Sequence, residues 1–421
     1  MKIITQLLFF GFLLLSHVLV AQHQIQEVEV EGLKETKLAY LSHFIDTKQG
    51  ETLDSLQLQK DLQRLRNLYA VANVKAQIDT LAEGLKVTFQ VEEAWTFFPI
   101  INFGGIRGNF WFQLGFTDVN WLGKGKQLTA IYRNNDLRQN YQLYLRAPFL
   151  QGSRWGFSGG LQRFASVEPL YFGDQTVFYD YTNLSATLTG IYQLDRNQYF
   201  EGGVTFFNED FQKNARHAGE ATPGPNALNE NKILLKAIHD INRINYDYFY
   251  ESGFLNHANW QSVYNFAKNN WFHIFLNDAK YYRRIGKRGN FASRLRIGIS
   301  TNTNSPFAPF VLDSYVNIRG AGNRIDRGTA ALIANLEYRY AFWDKRRFAA
   351  QVVGFSDVGT WRDPGGSLTE LWDREQFRHF AGGGLRLIYK QAHNAILRVD
   401  YGVDIYAPSQ RGWVIGIGQY F

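Results

Sequence analysis

Three charged residues frame the chemistry open to this chain. Arg319 stands in Asn317-Ile318-Arg319-Gly320, inside a long polar segment. Glu337 and Asp357 follow on two strand-like segments, Asn335-Leu336-Glu337-Tyr338-Arg339-Tyr340 and Gly354-Phe355-Ser356-Asp357. A guanidinium is always charged and presents a planar fork of donors, so one arginine upstream of two carboxylates suits an ion pair that ties a loop to a wall. Gly320 opens a backbone turn closed to residues with a Cβ. The plainer alternative is that Arg319 caps a surface turn. Signals for bond-making chemistry are absent from the sequence. It holds no nucleophile elbow, phosphate-binding loop or His-Glu-x-x-His. Its nine His are scattered without metal-ligand spacing. Asp400 and Asp404 share a strand face, which solvation in a polar lumen explains. The expectation is no enzyme, no cofactor and no metal.

The elements that must position such a loop are strands. Aromatics make up 16% of the 421 residues and 38 are Gly, yet the mean hydropathy is only −0.29. A bundle of membrane helices would be far more apolar. Alternating apolar and polar strands of an outer-membrane barrel fit these values, with an array of soluble β-sandwiches as competitor. Residues 3–21 form the only long apolar run, preceded by Lys2. They read as a secretory signal peptide, 1–21, with an uncleaved anchor as the alternative. No Cys is present, which removes lipidation at a lipobox, disulfides and thiolate metal sites. The net charge of +7 comes without a long basic run. Nucleic-acid binding needs a concentrated patch, so a basic lumen or contact with anionic lipid fits better.

Residues 24–94 differ from everything after them. Val28 and Val30 alternate with Glu27 and Glu29 as a short strand. Leu38, Leu41, Phe44 and Ile45 fall at helical spacing, and Leu58, Leu62, Leu65 and Leu68 do so again. Asp54 and Ser55 sit at the N-cap position of the second helix. Two alternating strands follow over 71–78 and 85–91. The order β-α-α-β-β makes a small α+β domain with one core.

From Phe97 the period is two. Leu397, Val399, Tyr401, Val403 and Ile405 alternate with Arg398, Asp400, Gly402 and Asp404. Phe110, Phe112, Leu114 and Phe116 do so earlier. Residues 97–421 at roughly 20 per strand and turn give about sixteen antiparallel transmembrane strands. The register is least defined over 245–265, where runs near 248 and 259 compete. The chain ends on an alternating strand, Trp413 to Phe421, with a terminal aromatic. Gly104 and Gly105 on the first strand, and Gly416 and Gly418 on the last, remove side chains where the barrel's ends meet. They predict a weakly paired seam, or merely relief of curvature.

Two resemblances cover nearly the whole of the chain after residue 21. Residues 24–94 resemble a POTRA domain through Val28-Glu29-Val30-Glu31-Gly32, the link Asp46-Thr47-Lys48-Gln49-Gly50-Glu51, Asn67-Leu68-Tyr69 and Val87-Thr88-Phe89-Gln90-Val91-Glu92-Glu93. Residues 97–421 resemble the barrel of the Omp85 superfamily, and its assembly-factor (BamA/TamA-like) branch in a single-POTRA short form. The motifs are Thr117-Asp118-Val119-Asn120-Trp121-Leu122-Gly123-Lys124-Gly125, Ile318-Arg319-Gly320, Phe355-Ser356-Asp357, Gly382-Gly383-Gly384-Leu385-Arg386 and Gly416-Ile417-Gly418-Gln419-Tyr420-Phe421. Ala321 departs from the aromatic that usually follows Arg-Gly, and Gln419 stands where an aromatic is common.

The resemblance implies a loop-to-barrel lock made by Arg319, Gly320, Glu337, Phe355 and Asp357. It implies a seam involving Gly104, Gly105, Gly416, Gly418 and Phe421. It places the protein in the Gram-negative outer membrane with its POTRA in the periplasm. The POTRA would capture unfolded outer-membrane or secreted clients along a sheet edge, and the seam would pass them on. Accessory periplasmic or lipoprotein partners and outer-membrane lipid complete the expected partners. The alternatives are a dedicated secretion pore for one partner protein, and a structural or uptake barrel whose POTRA docks a neighbour.

Overall fold

The computed structural model describes residues 24–106, 109–135, 138–150, 153–172, 175–214, 223–305, 308–314, 316–322, 326–392 and 395–421. The signal peptide expected over 1–21 lies outside them.

The N-terminal unit is a three-stranded sheet with two helices. Strand β1 (Ile25–Glu31) pairs in parallel with β3 (Gly84–Glu93), and β2 (Val71–Leu81) pairs antiparallel on the other side of β3. Helix α1 (Leu38–Leu41) is a single turn extended by a 3-10 turn, and α2 (Ser55–Arg66) is longer. Asp54 caps α2 by accepting from Leu56 N at 2.8 Å. Leu41, Leu58 and Leu65 from the helices pack on Val74, Val87, Phe89 and Val91 of the sheet. Full burial of such side chains contributes about 1.5–3 kcal/mol each. The link after α1 is held by Asp61, whose buried carboxylate accepts from Thr47 N at 2.8 Å and Thr47 Oγ1 at 2.7 Å.

The rest is one antiparallel sheet of sixteen strands. It begins with β4 (Phe97–Ile106), β5 (Asn109–Trp121), β6 (Lys126–Asn135), β7 (Arg138–Ala147) and β8 (Trp155–Phe172). It continues with β9 (Gln175–Asp195), β10 (Gln198–Lys213), β11 (Ala227–Asp247), β12 (Tyr250–Asn265), β13 (Asn270–Ile285) and β14 (Gly289–Ser300). A long loop carrying the small ribbon β15 (Phe310–Leu312) and β16 (Asp326–Gly328) interrupts the order. The sheet ends with β17 (Ala330–Asp344), β18 (Phe348–Arg362), β19 (Phe377–Tyr389), β20 (Ile396–Asp404) and β21 (Arg411–Ile417). The competing runs near 248 and 259 are one strand, β12. Its left-handed Gly253 (φ +118) passes over Arg243 and Ile244 without breaking the pairing with β11.

The sheet closes as a barrel, and alternation sorts its faces. Leu336, Tyr338, Leu385, Leu397 and Ile415 point outward and are exposed, while Asn335, Glu337, Arg339, Arg386 and Asp400 are buried inside. Such a sheet pairs the backbone groups of its inner strands in lipid, each strand between two neighbours. Among the described residues, the ladder order runs from β4 to β21 and no ladder joins those two ends.

The small domain sits on one mouth of this barrel. Turns from around the ring meet it. Lys37 N donates to Gly123 O at 2.9 Å, and Asn120 Nδ2 donates to Thr36 Oγ1 at 3.0 Å. Phe149 stacks on His43 with centroids 4.5 Å apart. Arg196 reaches Asp46, and Gln63 Nε2 donates to Tyr246 O at 3.1 Å. Trp95 bridges to Ala392 on the far side.

Candidate functional site

The lock is built from neighbouring rows of the inner wall. Pairing places Glu337 opposite Phe355, Phe355 opposite Gly382, Gly382 opposite Gly402, and Gly402 opposite Gly412. One row therefore starts with a carboxylate and an aromatic ring and ends with three glycines. The loop between β15 and β16 lies in that glycine depression. Gly320 has φ +92, and a Cβ there would stand 2.6 Å from Gly402 O. A Cβ on Gly412 would stand 3.0 Å from Gly320 O. Close backbone approach, as much as the left-handed turn, requires these glycines.

Arg319 is completely buried over this row. Its Nε and Nη2 donate to Asp357 Oδ2 and Oδ1 at 2.8 and 2.9 Å, a bidentate pair. Its backbone N donates to Asp357 Oδ2 at 2.9 Å, and Nη1 donates to Glu337 Oε2. The guanidinium lies 3.7 Å above the Phe355 ring, so one face meets a π-cloud while the edges meet carboxylates. Asn335 Nδ2 donates to Asp357 Oδ1 and to Asn317 O, both at 2.8 Å, which fixes carboxylate and loop together. Ala321, in place of an aromatic, packs against the Leu312–Ile318–Trp361 cluster.

The lock is larger than the sequence reading had it. Arg386 forms its own bidentate pair with Asp400 at 2.6 and 3.1 Å, and Asp400 Oδ2 lies 3.8 Å from Arg319. Asp400 was expected to be solvated in the lumen. It is instead buried between two guanidinium groups, because Gly384 opposite it leaves room for Arg386. Arg339 Nε donates to Glu337 Oε1 at 2.5 Å, and Arg339 Nη1 donates to Glu251 Oε2 at 2.6 Å. The inward parity of Arg339 and Arg386 on their strands was the signal that could have found them.

The last residues correct the expected seam. Strand β21 stops at Ile417, and Gly418 (φ +87) turns the chain inward. Phe421 does not lie on the seam. It is buried against Ile244, Tyr282 and Ala292, and Arg339 Nη2 donates to its main-chain O at 3.2 Å. Tyr420 lies under Arg319 with 4.5 Å to the ring centroid, and its hydroxyl donates to Ser314 O at 3.0 Å. Gly416 faces Arg398, whose Nη2 would stand 2.9 Å from a Cβ there. Arg398 Nη1 in turn donates to Gln419 O at 2.7 Å. Gly416 thus makes room for an arginine that holds the tail. On β4, Gly104 and Gly105 pair with Trp111 and Phe110 of β5.

A single-layer barrel with a locked inner loop and a small α+β unit at one mouth is a specific arrangement, and family comparison agrees. Residues 120–421 match the Omp85 superfamily domain. The chain belongs to the Omp85 superfamily. Residues 23–94 match the POTRA family, described as surface antigen variable number repeat. Among solved structures, the chain is similar to BamA from Haemophilus ducreyi lacking POTRA domains 1–3. The TM-score is 0.55 at 15% identity, over 93% of this chain and 83% of that one. CdiB from Escherichia coli gives a TM-score of 0.59 at 12% identity, over 93% and 75%. CdiB from Acinetobacter baumannii gives 0.55 at 13%, over 94% and 73%. At such identity these likenesses show the fold. Neither family model is that of an enzyme. This Omp85 protein is a Gram-negative outer-membrane protein with its POTRA in the periplasm, so the POTRA-covered mouth is the periplasmic one.

Proposed function

We propose that the protein assembles or translocates polypeptides at the outer membrane. The POTRA captures an unfolded client as an added strand, and the barrel seam passes it to the bilayer. The observation that carries this reading is the seam. Strand β4 has ten residues and β21 has seven, and among the described residues no ladder joins them. Unpaired strand edges template incoming strands. The edge of β2 offers the same template on the POTRA, where residues 77–81 are exposed. The inward tail supports the reading, since turning away at Gly418 shortens β21.

The test is reconstitution in liposomes, timing the folding of an unfolded outer-membrane barrel. Acceleration over empty liposomes is expected. It should vanish when a cysteine pair, in a chain without native Cys, oxidatively closes β4 onto β21, and return on reduction. Equal folding rates with and without the protein would overturn the assembly reading.

A second reading, a secretion pore for one partner, is favoured by the buried loop, which is held against the inner wall through Arg319. Planar-bilayer conductance that rises sharply in Arg319→Ala, with no acceleration of client folding, would select it.

A further inference from the structure

The inner wall is not uniformly polar. On the opposite side from the POTRA, β10 to β13 turn an apolar stripe inward. Pairing places Leu234 opposite Val263 and Val263 opposite Phe272, with Phe207 one row above and Ile274 one row below. These side chains wall a cavity of about 490 Å³ that no loop residue named in the lock fills. Apolar cavities of this size accept small organic molecules.

A charged belt crosses the same cavity. Glu209 and Glu230 are 8% and 2% exposed, and both pair with the Lys232 ammonium, at 2.8 Å for Glu230. Glu209 also accepts from Tyr181 OH, and Glu230 Oε2 is near Lys232 while it accepts from Asn265 Nδ2, each at 2.8 Å. Glu230 Oε1 accepts no hydrogen bond. Its nearest cation is Lys268 Nζ, within ion-pair distance at 3.1 Å but outside hydrogen-bond geometry, on a side chain 58% exposed. The buried belt therefore holds two carboxylates and one ammonium. The second carboxylate is balanced from the solvent side by Lys268, an ion pair on a partly exposed side chain that an entering ammonium can replace.

We propose that this cavity binds a small amphiphilic amine. Its ammonium donates to Glu230 Oε1 in place of Lys268, and its alkyl or aryl body lies against Phe207, Leu234, Val263, Phe272 and Ile274. The cavity requires both halves of that ligand. An anion meets the surplus carboxylate, and a hydrophilic amine gains nothing from the apolar walls. The inference stands independently of polypeptide transport.

Calorimetry on the full protein in phosphatidylcholine nanodiscs tests it, with empty discs as reference. The probes share one body: 4-phenylbutylamine, 4-phenylbutan-1-ol and 4-phenylbutyrate. The amine should bind at least about tenfold more tightly than the alcohol, and the acid should give no heat. Glu230→Gln should weaken amine binding about tenfold. Lys268→Ala should tighten it several-fold, because a competing ammonium has been removed, and this variant decides the matter where Glu230→Gln does not fold. Binding of the acid as tight as the amine, weakened binding in Lys268→Ala, or no binding of any probe would overturn the proposal. Discs containing phosphatidylethanolamine separate sources: weaker apparent amine affinity assigns the site to a lipid headgroup amine, and unchanged affinity to a soluble one. Both outcomes uphold the site.

Discussion

Asp46 of the POTRA and Arg196 of the β9–β10 turn join the two parts of the molecule. Arg196 Nη1 and Nη2 donate to Asp46 Oδ2 and Oδ1 at 3.0 and 2.5 Å, and the POTRA's own Arg64 donates to the same Oδ2 at 2.7 Å. Beside them His43 stacks on Phe149. Burial alone would raise the Asp46 carboxyl, but the two arginines outweigh it and hold it below its ordinary value. Burial is also the main cause that lowers His43.

These shifts carry one sign for docking. Both groups resist protonation in the docked state, so both contributions are complete at neutral pH and are lost in acid. The His43 contribution fades as pH falls below its ordinary value near 6.5, and the Asp46 contribution below about 4. Spin-label distances between POTRA and barrel should therefore broaden from pH 7 to 5 and further below 4. His43→Gln should remove the first step alone. A distance distribution that is constant from pH 8 to 4 would contradict this.

Asp46→Asn leaves Arg196 facing a neutral amide. The pair is partly exposed, with side chains 38% and 34% accessible, so the loss is about 1 kcal/mol or less. A modest rise in protease sensitivity of the β3–β4 junction is expected, with barrel stability unchanged by heat-modifiable mobility.

Arg319→Ala strands Asp357 beside Glu337 in a site without water access. Breaking such a buried pair costs about 3–5 kcal/mol. The folded band should melt at lower temperature and loop residues should become protease-accessible. Arg319→Lys should rescue little, because a point charge cannot reproduce the bidentate fork. Unchanged melting in Arg319→Ala would exclude the lock.

Gly402→Ala tests the glycine depression apart from any charge. Its Cβ would overlap the Arg319 carbonyl and stand 3.2 Å from Gly320 Cα. The loop should lift and the lumen conductance should rise, while the ion-pairing residues remain intact. An unaltered conductance trace would show that the wall yields instead.

Gly418→Val opposes the turn at φ +87, a conformation that costs a β-branched residue about 1–2 kcal/mol. The tail should leave its site under Arg319 and Arg339. Hydrogen exchange at Gln419 to Phe421 should speed up, with the β20–β21 ladder retained. Protection equal to that of the parent would place the tail's anchoring elsewhere.

Much of this molecule was legible in its residues. Period-two alternation from Phe97 reports strands, because side-chain direction along a strand is a local property, and the length of 97–421 at roughly 20 residues per strand and turn sets their number at about sixteen. The Asp54 cap and leucine spacing report α2 for the same reason. Arg319, Glu337 and Asp357 stood out through the resemblance of their motifs to the Omp85 loop and wall, since by themselves they fit equally an arginine capping a surface turn. What no local pattern carries is which charges share a height on the wall. Arg386, Arg339 and Asp400 look like ordinary lumen polarity until register and curvature bring them to one point. The glycine depression needs β19, β20 and β21 side by side, and the inward Phe421 needs a cleft lined by β11, β13 and β14. Contacts between strands far apart in the chain depend on closure of the sheet, and closure is decided by the whole ring at once.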